Sequence, residues 1–159
     1  MARSSQDIAD VIASSHRAAH VIMGHLSTAL DIDLVSWHRE GQASNCGLKL
    51  ESVPFSARLE DVPPSEHRDQ GSLTLLFCDH YTTEIQSPEM PEVWGFITPK
   101  PGHAIVNVAD SLQILSRGKL QSCLHRVGQP APGEGDRVCL LYYLRPEGSE
   151  DGIGVNRSE

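Results

Sequence analysis

His67-Arg68-Asp69 and the distant His125 carry the clearest chemistry in this chain. Two imidazoles and one carboxylate, an early pair completed far downstream, make up the ligand set of a 2-His-1-carboxylate facial triad. Such a triad grips Fe(II) on one face and leaves the opposite face open for reaction. Side chains two apart on a strand project to the same side, so His67 and Asp69 are expected to reach one ion together. His125 lies within a strand read over 119–127, and a short Pro/Gly loop then leads to Arg137-Val138-Cys139. Arg137, Cys139, Leu141 and Tyr143 are expected on one strand face, with the guanidinium innermost.

Other histidines read differently. His38-Arg39-Glu40 has a similar form but lies just past a helix, where solvated surface is expected. His16 and His20 stand four apart on that helix. Without an HExxH pattern or a third ligand they read as surface imidazoles rather than a zinc pair. His80 and His103 sit beside turns with no evident partner.

The elements that must position these groups fall into two textures. Over residues 6–30, Ile8, Val11, Ile12, Ala19, Ile22, Leu26 and Leu30 recur at three- and four-residue steps, which predicts one amphipathic helix. Ser4-Ser5-Gln6-Asp7 is expected to cap it. From residue 46 short β-like runs take over, at 46–53, 67–77, 82–87, 93–98, 103–109, 119–127 and 136–144. Leu112–Leu115 would complete about eight, the number that makes a jelly roll. The expected fold is mainly β, a double-stranded β-helix (jelly roll) preceded by one long amphipathic helix. The expected division is 1–45 as a helical segment packing on the barrel, 46–146 as the jelly roll and 147–159 as a flexible tail. Stretches 54–66 and 128–136, rich in Pro and Gly, read as loops.

Composition narrows the partners. A chain of 159 residues can bury one sizeable core. Its net charge of −8 argues against a nucleic acid or an anionic membrane, either of which calls for a basic face. No apolar run approaches the ~20 residues a bilayer requires. The first residues lack the apolar core of a secretory signal, so a cytoplasmic location is expected. Cys46, Cys78, Cys123 and Cys139 show no CxxC spacing and read as small buried thiols of a reduced compartment.

Four blocks in order give the chain a resemblance. His67-Arg68-Asp69-Gln70-Gly71-Ser72-Leu73-Thr74-Leu75-Leu76 is similar to an H-x-D-x-G-(S/T)-L-T-L-L segment. Pro99 to Asp110 is similar to a P-x-P-G-x-x-x-V-N-x-G-D turn. Ser116 to Val127 is similar to an S-x-G-x-x-x-S-x-x-H-R-V strand, and Arg137-Val138-Cys139 to an R-x-S ending. Together they resemble the Fe(II)- and 2-oxoglutarate-dependent dioxygenases, specifically the C-terminal catalytic domain of the isopenicillin-N-synthase-like group, over about residues 46–146. The resemblance implies that His67, Asp69 and His125 bind Fe(II). It implies that Arg137 pairs with the distal carboxylate of 2-oxoglutarate, for which a planar guanidinium fork is suited. It also implies that O2 is consumed as 2-oxoglutarate becomes succinate and a C–H bond of a small organic substrate is oxidised. Hydroxylation is the commonest outcome, and secondary metabolism is a plausible setting.

Three departures accompany the resemblance. Cys139 replaces the serine, and the weaker thiol donor is expected to cost about 1 kcal/mol of co-substrate binding. The strand Leu48-Lys49-Leu50-Glu51-Ser52-Val53-Pro54 lacks the usual tyrosine. Relatives carry a long N-terminal region before the helix, and apolar surface left uncovered without it would favour self-association. Two other readings use the same residues. One is a truncated, non-catalytic jelly roll serving as a binding or accessory subunit. The other is a cupin-like barrel with a different metal reaction, in which Arg137 would have no role.

Overall fold

Alternating side chains along a few antiparallel strands create both the core and the cavity. The computed structural model describes residues 2–39, 41–42, 44–53, 65–128 and 137–148. In order these form α1 (Ala2–Leu30), a 3-10 turn (Val35–Trp37), β1 (Gly47–Val53), β2 (Leu73–Cys78), β3 (Thr83–Gln86), β4 (Trp94–Phe96), β5 (Ile105–Val108), α2 (Asp110–Leu115), β6 (His125–Val127) and β7 (Arg137–Leu144). One antiparallel sheet has the order β1-β7-β2-β5, the other β4-β3-β6. The two sheets enclose a cavity between them, the jelly-roll arrangement expected from the sequence.

The larger sheet uses both faces. Leu73 and Leu75 of β2 and Tyr142 and Leu144 of β7 point outward and are buried against Ala19 and Met23 of α1, Leu34 and Leu112 of α2. Each such leucine contributes roughly 1.5–3 kcal/mol. The intervening Thr74, Leu76, Cys139, Leu141 and Tyr143 line the cavity instead. A one-residue slip in register would exchange the two sets, so the pairing of Leu73 with Leu144 and Leu76 with Leu141 fixes the site as well as the core.

Several local expectations need correction. The helix starts at Ala2, so Ser4 to Asp7 lie within it rather than capping it. Ala19 and Met23 are buried and Ile22, Leu26 and Leu30 partly so, while Ile8 and Ile12 stay exposed, because the core residues beneath meet only the later turns of the helix. The run expected over 67–77 becomes a strand only at Leu73, and that over 119–127 only at His125. Leu112–Leu115 belongs to α2 rather than to an eighth strand, leaving seven strands among the described residues. Four residues are too few to carry a period, and Asp110 in the first turn suits the helix dipole.

The imidazoles beside the helix are not surface groups. His38 is 4% exposed: its Nδ1–H donates to the Leu34 carbonyl at 2.9 Å, and Ser72 Oγ donates to its Nε2 at 2.7 Å. Burial holds its pKa below the ordinary 6.5. His16 is half-buried and shares a 2.6 Å hydrogen bond with the Tyr142 hydroxyl, and the His20 ring lies between those of His16 and His38. His38 lies on the segment after α1, whereas His16 and His20 project from the helix itself. Glu147, expected to open the tail, is anchored: its carboxylate meets Arg39 at 2.7 Å and its amide donates to the Trp37 carbonyl. The rest of the tail from 149, and the loops at 54–64 and 129–136, lie outside the described residues. All four cysteines are free, only Cys139 being fully buried. No described helix is long and apolar enough to cross a membrane.

Candidate metal centre

His67 and Asp69 do not sit on a strand, contrary to the period-two expectation, and a different device brings them together. The His67 amide donates to the His125 carbonyl at 2.9 Å, and the His125 amide donates back to His67 at 3.0 Å. This lone bridge lays the early segment against β6. Beyond it, the chain from Asp69 to Ser72 is held by backbone bonds from Asp110, Ser111 and Ala109 to Asp69, Gly71 and Ser72, at 2.8–3.0 Å. Gly71 is required there: its φ is +104°, and a Cβ would lie 2.8 Å from Arg145 Cγ and 2.9 Å from the Leu144 carbonyl oxygen.

The three ligand atoms converge. Nε2 of His67 and Nε2 of His125 stand 3.5 and 3.6 Å from Asp69 Oδ1, and the whole set lies within 4.8 Å. A bound divalent ion would draw these atoms inward onto itself. Both imidazoles are oriented alike. His67 Nδ1–H donates to the Ser65 carbonyl and His125 Nδ1–H to the Cys123 carbonyl, which leaves each Nε2 lone pair facing Asp69. Asp69 is buried, and its Oδ2 accepts a 2.8 Å bond from Asn107 Nδ2, so Oδ1 is the oxygen presented to the centre. Asn107 in turn accepts from the Cys123 thiol at 3.1 Å. Burial, and then the Asp69 charge, push that thiol's pKa up and keep its proton in place.

A second set of contacts fixes the His67 segment. Arg126 follows His125, and its guanidinium donates to Glu84 at 2.8 Å and to Glu66 at 3.2 Å while stacking 4.1 Å above the Trp94 ring. The Val127 amide donates to Ser65 Oγ at 3.0 Å. Residues 65–67 are thus docked on β6 by side chain and backbone alike, although the His67 ring itself is half-exposed.

The triad opens into a cavity of about 640 Å³. Ile85, Ile97, Ile105, Val106 and Leu141 supply apolar walls, and Lys49 and Glu51 project from β1. Arg137 occupies the face of β7 shared with Cys139, Leu141 and Tyr143 but lies behind the lining, 1% exposed. One amine donates to the Gly128 carbonyl at 2.9 Å, while Nε has no hydrogen-bond partner among the described residues. A buried guanidinium with a donor left unpaired among the described residues is costly by itself, and it suits an anionic ligand that completes the fork. A Cβ at Gly128 would meet the Phe96 ring, which would have to shift to admit it. The Cys139 thiol bonds to the Thr82 side chain, and burial pushes its pKa up.

The four residues singled out by sequence therefore separate. His67, Asp69 and His125 share one centre, and Arg137 stands apart beneath the cavity. Asn107, Arg126, Lys49 and Glu51 were missed as functional candidates, although Asn107 and Arg126 lie inside the quoted motifs.

Residues 45–146 match the family model of the 2OG-Fe(II) oxygenase superfamily. The chain belongs to that superfamily. Its members are oxidoreductases that use Fe(II), 2-oxoglutarate and O2, and the triad described above supplies the chemistry of the iron ligand set. The oxygenase chain is 37% identical to the 2-oxoglutarate-dependent dioxygenase iboH of Amanita muscaria, covering 87% of this chain and 70% of that protein. It is 32% identical to the 2-oxoglutarate-dependent dioxygenase frbH of Dothideomycetidae sp., covering 86% of this chain and 44% of that one. Among solved structures, a 2OG-Fe(II) oxygenase family protein from Caulobacter crescentus superposes with a TM-score of 0.77 at 22% identity, covering 90% of this chain and 47% of that one. JOX2, solved with 2OG, Fe and JA, gives 0.72 at 26% identity, covering 89% and 42%. The oxygenase chain thus spans less than half the length of frbH and of both structures.

Proposed function

We propose that this oxygenase is a 2-oxoglutarate-dependent dioxygenase that hydroxylates a C–H bond of a small organic molecule, with His67, Asp69 and His125 holding Fe(II) and Arg137 holding 2-oxoglutarate. One observation carries the reading: three convergent ligand atoms, both imidazoles already oriented through Nδ1, at the wall of a largely apolar cavity. The fungal 2-oxoglutarate-dependent dioxygenases among its relatives support a place in secondary metabolism.

The chain's own residues divide the work. His67, Asp69 and His125 would hold the ion at the cavity wall. Asn107 holds Asp69 so that a single oxygen is offered. Arg137 contributes the guanidinium fork for the distal carboxylate of the co-substrate, its Nε being the donor left over. Ile85, Ile97, Ile105 and Leu141 exclude water and press an aliphatic group toward the triad. Bound there, iron with 2-oxoglutarate and O2 supplies the oxidising power for an unactivated C–H bond, with succinate and CO2 as co-products.

The test is succinate formation in air, with Fe(II), 2-oxoglutarate and a panel of small organic molecules. The reading expects slow background turnover that requires Fe(II), rises with a true substrate and disappears in Asp69→Ala. Folded protein that forms no succinate under any of these conditions would contradict it.

A further inference from the structure

Two ion pairs line the cavity besides the triad, and they differ in what remains available. Arg126 is committed to Glu84, Glu66 and the Trp94 ring. Lys49 meets only Glu51 among the described residues. The two stand two apart on β1 and so project from one face, both into the cavity, with side chains 53% and 36% exposed. An ammonium carries three donors and a carboxylate about four acceptor positions, so one ion pair leaves both groups largely unspent. Glu51 also fixes the lysine: its hydrogen bond raises the Lys49 pKa and keeps the ammonium charged.

Register sets Lys49 apart from the anchor of the co-substrate. Val53 is opposite Arg137, Glu51 opposite Cys139 and Lys49 opposite Leu141. Lys49 is therefore four residues along β1 from the position facing Arg137, roughly 13 Å at the rise of a strand. A five-carbon dicarboxylate pinned at Arg137 is shorter than that span. Lys49 lines the cavity together with Asp69 and Tyr143, which puts it on the triad's side of the wall.

We infer that the Lys49–Glu51 pair seats the polar end of the substrate, and that this substrate is a small aliphatic zwitterion of the amino-acid type. The inference rests on reading the cavity as the active site and adds its specificity. A ligand of one sign gains from one member of the pair and is repelled by the other, whereas a zwitterion meets both. With its charges held at β1, its aliphatic part lies along Ile85, Ile97, Ile105 and Leu141, over the triad.

Matched probes separate the charges. L-Norleucine, hexanoate and pentylamine share an aliphatic chain and differ in which charges they carry. Each is added to the anaerobic protein with Fe(II) and 2-oxoglutarate, following the charge-transfer absorption of the chelate, and then to the aerobic protein, following succinate. Norleucine is expected to shift the band and to stimulate succinate release at least about tenfold over either single-charge probe. K49M and E51Q should each lose most of that preference, and K49R should keep much of it. Equal responses to all three probes, no response to norleucine, or an undiminished preference in K49M and E51Q overturn the inference alone. A wild-type protein without the absorption band overturns the enzymatic reading, and this inference with it.

Discussion

His67 and His125 face each other across a bridge of two reciprocal backbone hydrogen bonds, 2.9 and 3.0 Å long, with ring centroids 4.3 Å apart. No continuous strand joins them. The bridge brings an early and a late part of the chain together at one candidate metal centre, and the side chains around it hold it in register.

Arg126 is the main lateral support, because it ties Glu66, next to His67, to Glu84 on β3. Arg126→Ala is expected to weaken Fe(II) affinity by about 10–100-fold while the fold persists. Arg126→Lys should lie between, since an ammonium cannot fork two carboxylates. Fe(II) titration with circular dichroism as the folding control checks this, and unchanged affinity in Arg126→Ala would remove the supporting role.

Arg137 makes a separable prediction. Arg137→Met fills the buried site without a donor, so the 2-oxoglutarate requirement should rise by roughly 100-fold, the loss of a charged, buried hydrogen-bonding partner. Iron affinity should stay near that of the wild type. Equal losses of both would mean that the guanidinium supports the fold near the triad rather than the co-substrate.

Cys139 sits one pleat from Arg137 on β7, and its thiol stays protonated because burial pushes its pKa up. Cys139→Ser offers a stronger donor of similar size. The expected outcome is about fivefold tighter 2-oxoglutarate binding, close to 1 kcal/mol. Isothermal titration under anaerobic conditions reads it directly, and no gain would show that the Thr82 contact already orients the thiol adequately.

His38 predicts a pH dependence of stability. Burial is the largest cause of its lowered pKa; the Leu34 carbonyl opposes it, the His20 charge adds to it, Glu147 opposes it and His16 adds to it. The unfolded chain therefore takes up the proton first. The contribution is complete above the ordinary value of 6.5 and is lost as the pH falls below it. Urea midpoints measured between about pH 7.5 and 5.5 should fall more steeply for wild type than for His38→Gln. Parallel slopes would assign the acid sensitivity to other groups.

The site was easier to read in the sequence than the polypeptide that builds it. His67, Asp69 and His125 stood out because ligand chemistry permits few residue types, and the blocks around them fixed their order. The strand proposed to align His67 with Asp69 was wrong in mechanism, since their convergence depends on a backbone bridge to β6 that no local pattern encodes. Arg126 gave no signal because Glu84 and Glu66 lie 42 and 60 positions away. His38 was read as solvated because its charged triplet lies just past a helix, yet its ring is buried against Ser72. Leu112–Leu115 was too short for periodicity to separate helix from strand. β1 and β7 were found within one residue, because their apolar and polar alternation reports the two faces directly.

The central claim is that His67, Asp69 and His125 hold one ferrous ion able to take up 2-oxoglutarate. Anaerobic addition of Fe(II) and then 2-oxoglutarate, monitored by visible absorption, tests it most directly. The wild-type protein should develop the metal-to-ligand charge-transfer band, and folded Asp69→Ala and His125→Ala should not. A folded wild-type protein that stays colourless, or a band that survives removal of Asp69, would contradict the account.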